Sequence, residues 1–367
     1  MRAQVTASLL VASLVPLSLG CGDDGGASSG GTAAATGSTG GSIPSASTGE
    51  ATTDPVPTVA ESTDGGSTGS ADSGSSGGES SGGDESSGGM WMPSVDCDMI
   101  PGAPIQSPIV QIPSQVSEDF TFDAEGNMIG VVIETQGLHR TTYEGVSTMI
   151  VPDVSDWGRG VRVLDNGDYL VVVPGEGLDR VTPQGGRVRV MNLSDEANGL
   201  ALHPNGMAYL TSGNGQLRSL DPDTGDVAVL DQEESLDGIA FNVDYTKLYY
   251  NSESGLIKQL AFVDGVPTGE PSEFVTLQPN FILDGMAVDE CDNLYAVDMF
   301  GVIWRISAEG EVEAVITLEA VELYSAINFG SGIGGWKADH LYIMSLGQTG
   351  VLEVEMGVQG KPVPHLP

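Results

Sequence analysis

A polar residue heading a short apolar strand returns six times along this chain, at intervals close to forty residues, and no other feature constrains the fold as tightly. The copies read Glu118-Asp119-Phe120-Thr121-Phe122, Arg159-Gly160-Val161-Arg162-Val163 and Asn198-Gly199-Leu200-Ala201-Leu202, then Asp237-Gly238-Ile239-Ala240-Phe241, Asp284-Gly285-Met286-Ala287-Val288 and Ser325-Ala326-Ile327-Asn328-Phe329. Their first positions lie 41, 39, 39, 47 and 41 residues apart. Turns follow at matching places, among them Asp165-Asn166-Gly167, Pro204-Asn205-Gly206 and Asp292-Asn293. Second strands come next: Tyr169 to Val173, Met207 to Leu210, Lys247 to Tyr250 and Leu294 to Val297. Short apolar runs bounded by Gly, Asp, Asn and Pro are the pattern of strands and turns. A unit of this length that folds into one four-stranded sheet predicts an all-β, six-bladed β-propeller, assigned to 96–367. Leucine-rich repeats have a shorter period, and helical repeats need a helical spacing of apolar residues.

Upstream the chain changes character. Met1-Arg2 is followed by an apolar run from Val5 to Leu19, which is too short and Ser-rich for a stable membrane span. The run ends Leu17-Ser18-Leu19-Gly20-Cys21. It resembles the lipobox of bacterial lipoproteins, with Ser18 standing where that family prefers Leu. The resemblance implies a signal peptide over 1–20, lipidation of Cys21 and a membrane-anchored, extracytoplasmic protein of the cell envelope. An ordinary secretory signal with an incidental cysteine is the alternative.

Residues 21–95 are mostly Ser, Gly, Thr and Ala, with no aromatic side chain between Cys21 and Trp91. Such a segment buries too little apolar surface to offset its chain entropy, so a disordered tether is expected. A flexible chain of roughly 70 residues spans roughly 45 Å.

The whole chain carries 51 acids against 13 bases, a net charge of -38. Ten of those acids fall between Asp23 and Glu85; without them and Arg2, 41 acids still face 12 bases. A surface this acidic does not bind nucleic acid and does not dock on anionic lipid, but it attracts cations. A monomer is expected. Cys97 and Cys291 are the cysteines outside the signal region. In an oxidising compartment they form a disulfide pinning the N-terminal segment to the fifth blade, or else remain two thiols.

The copies resemble the senescence marker protein, gluconolactonase and luciferin-regenerating enzyme family over about Val116 to Val363. The passages that carry the likeness are Leu236-Asp237-Gly238-Ile239-Ala240-Phe241 with Lys247-Leu248-Tyr249, then Leu283 to Asp289, then Asn328-Phe329-Gly330 with Leu341-Tyr342-Ile343. Similar motifs occur in binding propellers of the strictosidine-synthase and NHL-repeat type. The resemblance implies a six-bladed propeller with a divalent cation, usually calcium, in the central channel. It implies Glu118, Asn198 and Asp284 as metal ligands, with Asp237 at a ligand position that is usually Asn.

Repeat geometry reaches the same place independently. The leading residues Glu118, Arg159, Asn198, Asp237, Asp284 and Ser325 start the innermost strands and should ring the channel mouth. Three converging carboxylates need a compensating charge. Oxygen donors of this type suit Ca²⁺ or another hard divalent cation. Alternatively, Arg159 pairs with Glu118 or Asp237 and closes an ion-free salt-bridge cluster.

Two functions follow from these alternatives. The first is a cation-dependent hydrolase of lactones or other esters: Asp284 or Asp237 activates water, and Arg159 and Ser325 meet a lactone or sugar acid. The second is a non-catalytic binding or scaffold propeller, since one fold hosts both. Against the first, Glu196-Ala197-Asn198-Gly199 lacks the family's basic residue two places before Asn198. Asp221 to Asp226 resembles the start of a calcium loop, but Gln232 stands where the bidentate Glu is required, so a turn is expected. The histidines His139, His203, His340 and His365 show no ligand spacing, and His203, beside Pro204, is expected to be exposed. Gly330 to Gly335 is expected to be a loop.

Overall fold

The computed structural model describes residues 92–367 apart from 117, 155–158, 195, 253, 278–281, 319–322, 347–349, 365 and 367. The expected signal peptide, Cys21, nearly all of the expected tether and His365 therefore lie outside the described residues.

Six four-stranded antiparallel sheets follow one another along the chain, and each of the first five is a simple meander. The first blade, for example, consists of Phe120–Phe122, Met128–Val132, Gly137–Thr141 and Ser147–Val151. The expected six-bladed propeller is the observed fold. The second strands lie at Tyr169–Val173, Ala208–Ser212, Lys247–Ser252 and Leu294–Asp298, within two residues of their expected ends.

The sixth blade departs from expectation. Its unit supplies Leu323–Phe329, His340–Leu346 and Val351–Glu355, and the fourth strand is Ile109–Ile112 from before the first repeat. Ile109 pairs with Val354 and Ile112 with Val351, so both ends of the domain meet in one sheet and close the ring. The preceding segment is fastened to the fifth blade. Cys97 and Cys291 form the expected disulfide, Ser94 donates to the Glu290 carboxylate, and the Ile105 amide donates to the Val315 carbonyl.

Local chemistry explains the recurring turns. In the first blade Asp123 Oδ1 accepts from the amides of Glu125 (3.0 Å) and Asn127 (2.8 Å). In the fifth, Asp289 Oδ1 accepts from the amides of Cys291 (2.8 Å) and Asn293 (2.9 Å), while its Oδ2 accepts from the Asn293 side chain and the Tyr295 hydroxyl. An Asp that satisfies the backbone of its own turn fixes the hairpin register without a neighbouring blade.

The core lies between blades. Tyr209, Tyr249, Tyr295 and Tyr342 occupy equivalent positions on second strands and are almost wholly buried. Tyr209 meets Phe241 and Phe262 of the fourth blade, Tyr295 meets Phe329 of the sixth, and Tyr342 meets Phe122 of the first. Edge-to-face pairs of this kind each contribute about 0.5–1.5 kcal/mol beyond the area they bury.

Candidate functional site

The innermost strands of the third to sixth blades share one irregularity. Pairing skips residues between Ala197 and Leu200, Leu236 and Ile239, Leu283 and Met286, and Tyr324 and Ala326. The skipped residues include Asn198, Asp237, Asp284 and Ser325. A bulge re-aims a side chain that regular alternation would send into a neighbouring sheet. These four side chains, with Glu118 of the first blade, line one cavity of about 30 Å³ at the propeller axis. That is room for an ion or one or two waters.

The glycine after the ring residue follows from the same crowding. A Cβ on Gly238 would sit 2.0 Å from the Asp284 carbonyl oxygen, and one on Gly199 would sit 2.4 Å from that of Asp237. Side chains from second strands tie neighbouring blades together at this level. The Gly238 amide donates to Asn251 Oδ1 (2.9 Å), and Asn251 Nδ2 donates to the Asp284 carbonyl (2.8 Å). Thr211 does the same one blade earlier, accepting from the Gly199 amide and donating to the Asp237 carbonyl.

Ring contacts are specific. Arg159 Nη1 donates to Glu118 Oε1 at 3.2 Å, so the arginine joins the cluster through Glu118 and does not itself line the cavity. Asn198 Nδ2 donates to Asp237 Oδ1 at 2.5 Å. The Ser325 hydroxyl donates to the Glu118 carbonyl at 3.4 Å, linking the sixth blade to the first. Glu118 adopts φ of 88°, a left-handed conformation that a non-glycine residue holds only at a cost of about 1–3 kcal/mol. Its Oε2 is buried and has no hydrogen-bond partner among the described residues.

Sequence reasoning missed two members. Asp119 and Arg162 also line the cavity, and Arg162 Nη1 donates to Asp119 Oδ2 at 2.8 Å. Asp119 follows Glu118 directly and Arg162 lies three places after Arg159, so the paired signs in these two copies were the available signal. The cluster thus holds four carboxyl groups, Glu118, Asp119, Asp237 and Asp284, against two guanidinium groups, Arg159 and Arg162.

Electrostatics register that imbalance. Burial first, then Asp237 and Asp119, raise the Glu118 carboxyl to about 8 although Arg159 opposes them. Burial, then Asp237 and Glu118, hold Asp284 well above the usual carboxylate range. Donor type fits a divalent cation: carboxyl oxygens that retain protons without one, a buried oxygen lacking a partner among the described residues, and a cavity of ionic size. Among the described residues no three His, Cys, Asp or Glu side chains stand together as a ready metal site, so Glu118, Asp237 and Asp284 would have to draw closer to hold an ion.

Elsewhere, Asp221 to Asp226 is the expected turn, with Asp221 Oδ1 accepting from the amides of Asp223 and Thr224. Gly330 to Gly335 is a loop. His203 is not exposed as expected: it is half-buried, because its ring packs among Phe241, Tyr245 and Phe262.

Residues 202–347 match the family model described as SMP-30/Gluconolactonase/LRE-like region. Solved structures agree on the fold. The calcium-binding protein regucalcin from Agrobacterium tumefaciens is 18% identical with a TM-score of 0.58, covering 71% of this chain and 96% of that one. A gluconolactonase from Xanthomonas campestris is 14% identical with a TM-score of 0.57, covering 69% and 91%. A luciferin-regenerating enzyme is 17% identical with a TM-score of 0.54, covering 70% and 99%. No curated protein matches the chain. The matched stretch runs from the end of the third blade's innermost strand to the second strand of the sixth blade, and so contains Asp237, Asp284 and Ser325 but not Glu118, Arg159 or Asn198.

Proposed function

We propose that this protein is an envelope lipoprotein that holds a divalent cation at the propeller axis and hydrolyses a lactone or related ester there. The observation that carries the reading is four carboxyl groups set against two arginines around one ion-sized cavity, with Glu118 Oε2 buried and without a partner among the described residues. Glu118, Asn198, Asp237 and Asp284 are the ligands in this reading. A bound calcium ion supplies Lewis acidity toward an ester carbonyl.

The chain's own residues set the rest. Burial, then Asp237 and Glu118, favour the protonated form of Asp284, and a cation bound beside it would favour the carboxylate, which could take a proton from water. Arg159 orients Glu118, and Ser325 joins the first and last blades beneath it. The gluconolactonase among the similar structures supports the choice of lactones.

The Arg159–Glu118 pair favours a second reading, in which the cluster is structural and an outer face binds a partner. Titration calorimetry with calcium on the wild-type chain and on Asp284→Ala separates the two. Saturable heat lost in the variant supports the ion site; equal heats from both proteins eliminate it. A panel of sugar and acyl lactones read by a pH indicator then tests hydrolysis, which chelation should abolish. Metabolic labelling with an alkyne fatty acid, lost in Cys21→Ala, tests the anchor.

A further inference from the structure

The axial channel has a second chamber, and the proposed chemistry does not use it. Where the ring residues open the innermost strands, the far ends of those strands line a cavity of about 360 Å³. That volume lies within the range of about 300–1,000 Å³ typical of small-molecule sites. Arg162, Ile239 and Met286 border both chambers and form the partition between them. Phe122, Phe241, Phe329 and Tyr245 give the larger chamber aromatic walls, and the segment after the last strand closes one side with Val363 and Leu366.

Three cations reach this chamber, and two are already paired. Arg162 is held by Asp119, and Arg180 by Asp168 and Asp223. Lys361 differs. Its amide donates to the Val288 carbonyl, which fixes the segment to the end of the fifth blade's innermost strand. Its ammonium donates to the carbonyls of Phe241 (2.7 Å) and Asn242 (3.4 Å) and lies 4.3 Å from the centre of the Tyr245 ring. No carboxylate of the described residues lies within ion-pair distance of it. An ammonium has three donors, so one remains for a ligand. On a chain with 51 acids and 13 bases, a half-buried lysine with no acidic partner among the described residues, in a ligand-sized aromatic chamber, is a specific arrangement.

We propose that this chamber binds a small carboxylate with a flat apolar body, the carboxylate on Lys361 and the body against Phe241, Tyr245 and Phe329. Burial lowers the Lys361 ammonium to about 7, against the pull of Asp292 and with a smaller push from Arg162; a bound anion relieves that cost.

Fluorescence titration of the full chain with 1-naphthoate, and with 1-naphthalenemethanol as its uncharged counterpart, tests this in slightly acidic buffer. One saturable site is expected, with the carboxylate bound roughly tenfold more tightly than the alcohol, the ratio for one charged hydrogen bond. Lys361→Met should remove that preference while still binding the alcohol. Asp284→Asn, in the other chamber, should leave both affinities unchanged. No saturable binding by the wild-type chain overturns the proposal, as does equal affinity for the two probes. So does a folded Lys361→Met protein that keeps the preference, or loss of naphthoate binding in Asp284→Asn.

Discussion

Arg159 Nη1 lies 3.2 Å from Glu118 Oε1, and this contact divides the carboxylate into one neutralised oxygen and one, Oε2, left buried without a partner. The two residues come from different blades, 41 positions apart, so their pair reports the assembled ring and not any local turn. It also sets the charge that an incoming cation meets.

Removing the guanidinium exposes that balance. Arg159→Met should destabilise the chelated protein by about 2 kcal/mol, less than the 3–5 kcal/mol of a fully buried pair because the arginine keeps some solvent. In a propeller of this size the melting midpoint then falls by roughly 4–8 °C. Calcium should restore more of this loss in the variant than it adds to the wild type. Differential scanning calorimetry with and without chelator makes the comparison; an unshifted midpoint means the pair contributes nothing.

The raised Glu118 carboxyl predicts a pH dependence of definite sign. Between its ordinary value of 4.5 and about 8 the folded protein holds a proton that the unfolded chain has released. Stability from this group is therefore complete in acid and declines as the pH rises through about 8. Lowered His139, His203 and Lys361 act in the opposite direction, so the useful readout is a difference. Without metal, Glu118→Gln should match the wild type near about pH 5 and become progressively more stable than it toward about pH 8.5. A constant gap between the two melting curves would contradict the assignment.

Gly238 and Gly167 separate two reasons for glycine. Gly167 has φ of 85° and open space where a Cβ would stand, so Gly167→Ala should cost only the left-handed backbone penalty of about 1–2 kcal/mol. At Gly238 the added carbon meets the Asp284 backbone, and Gly238→Ala should cost about 3 kcal/mol or more by forcing innermost strands apart. Urea unfolding of both variants measures the contrast, and calcium affinity should fall in the Gly238 variant alone.

The Cys97–Cys291 bond closes a loop across 194 positions. Replacing both cysteines by serine should lower stability by about 2–4 kcal/mol, with the fold retained because Ile109–Ile112 still pairs with the last blade. Far-ultraviolet dichroism should be unchanged and the denaturation midpoint lower. A change in the spectrum would mean that the bond, and not the strand pairing, holds the ring closed.

The period was legible because every blade solves the same packing problem with the same residue classes. Asp237-Gly238 and Asp284-Gly285 announce both the bulge and the close approach of strands, so those ring positions could be counted directly from the sequence. Asp119 and Arg162 were less visible, since Asp119 stands just before its strand and Arg162 inside one, places where a charged residue ordinarily faces solvent. The fourth strand of the sixth blade had no local signal at all: Ile109 to Ile112 reads as any short apolar run, and its partner lies more than 200 residues away. Lys361 was hidden for a related reason. Its chamber is walled by residues from all six blades, and only the closed ring makes a pocket of them.

Sharing the last blade between Ile109–Ile112 and Val351–Glu355 also imposes an order on biogenesis. Early in synthesis or threading, the upstream strand waits as an unsatisfied edge, because its partner is the last strand of the propeller in chain order. Glu118, six positions beyond that strand, is kept from Ser325 until the same moment. A nascent chain that has not reached Val351 already contains every residue of the axial cluster but lacks the strand pairing that brings its first and last members together, so the complete charge trap at the hub belongs to the closed ring.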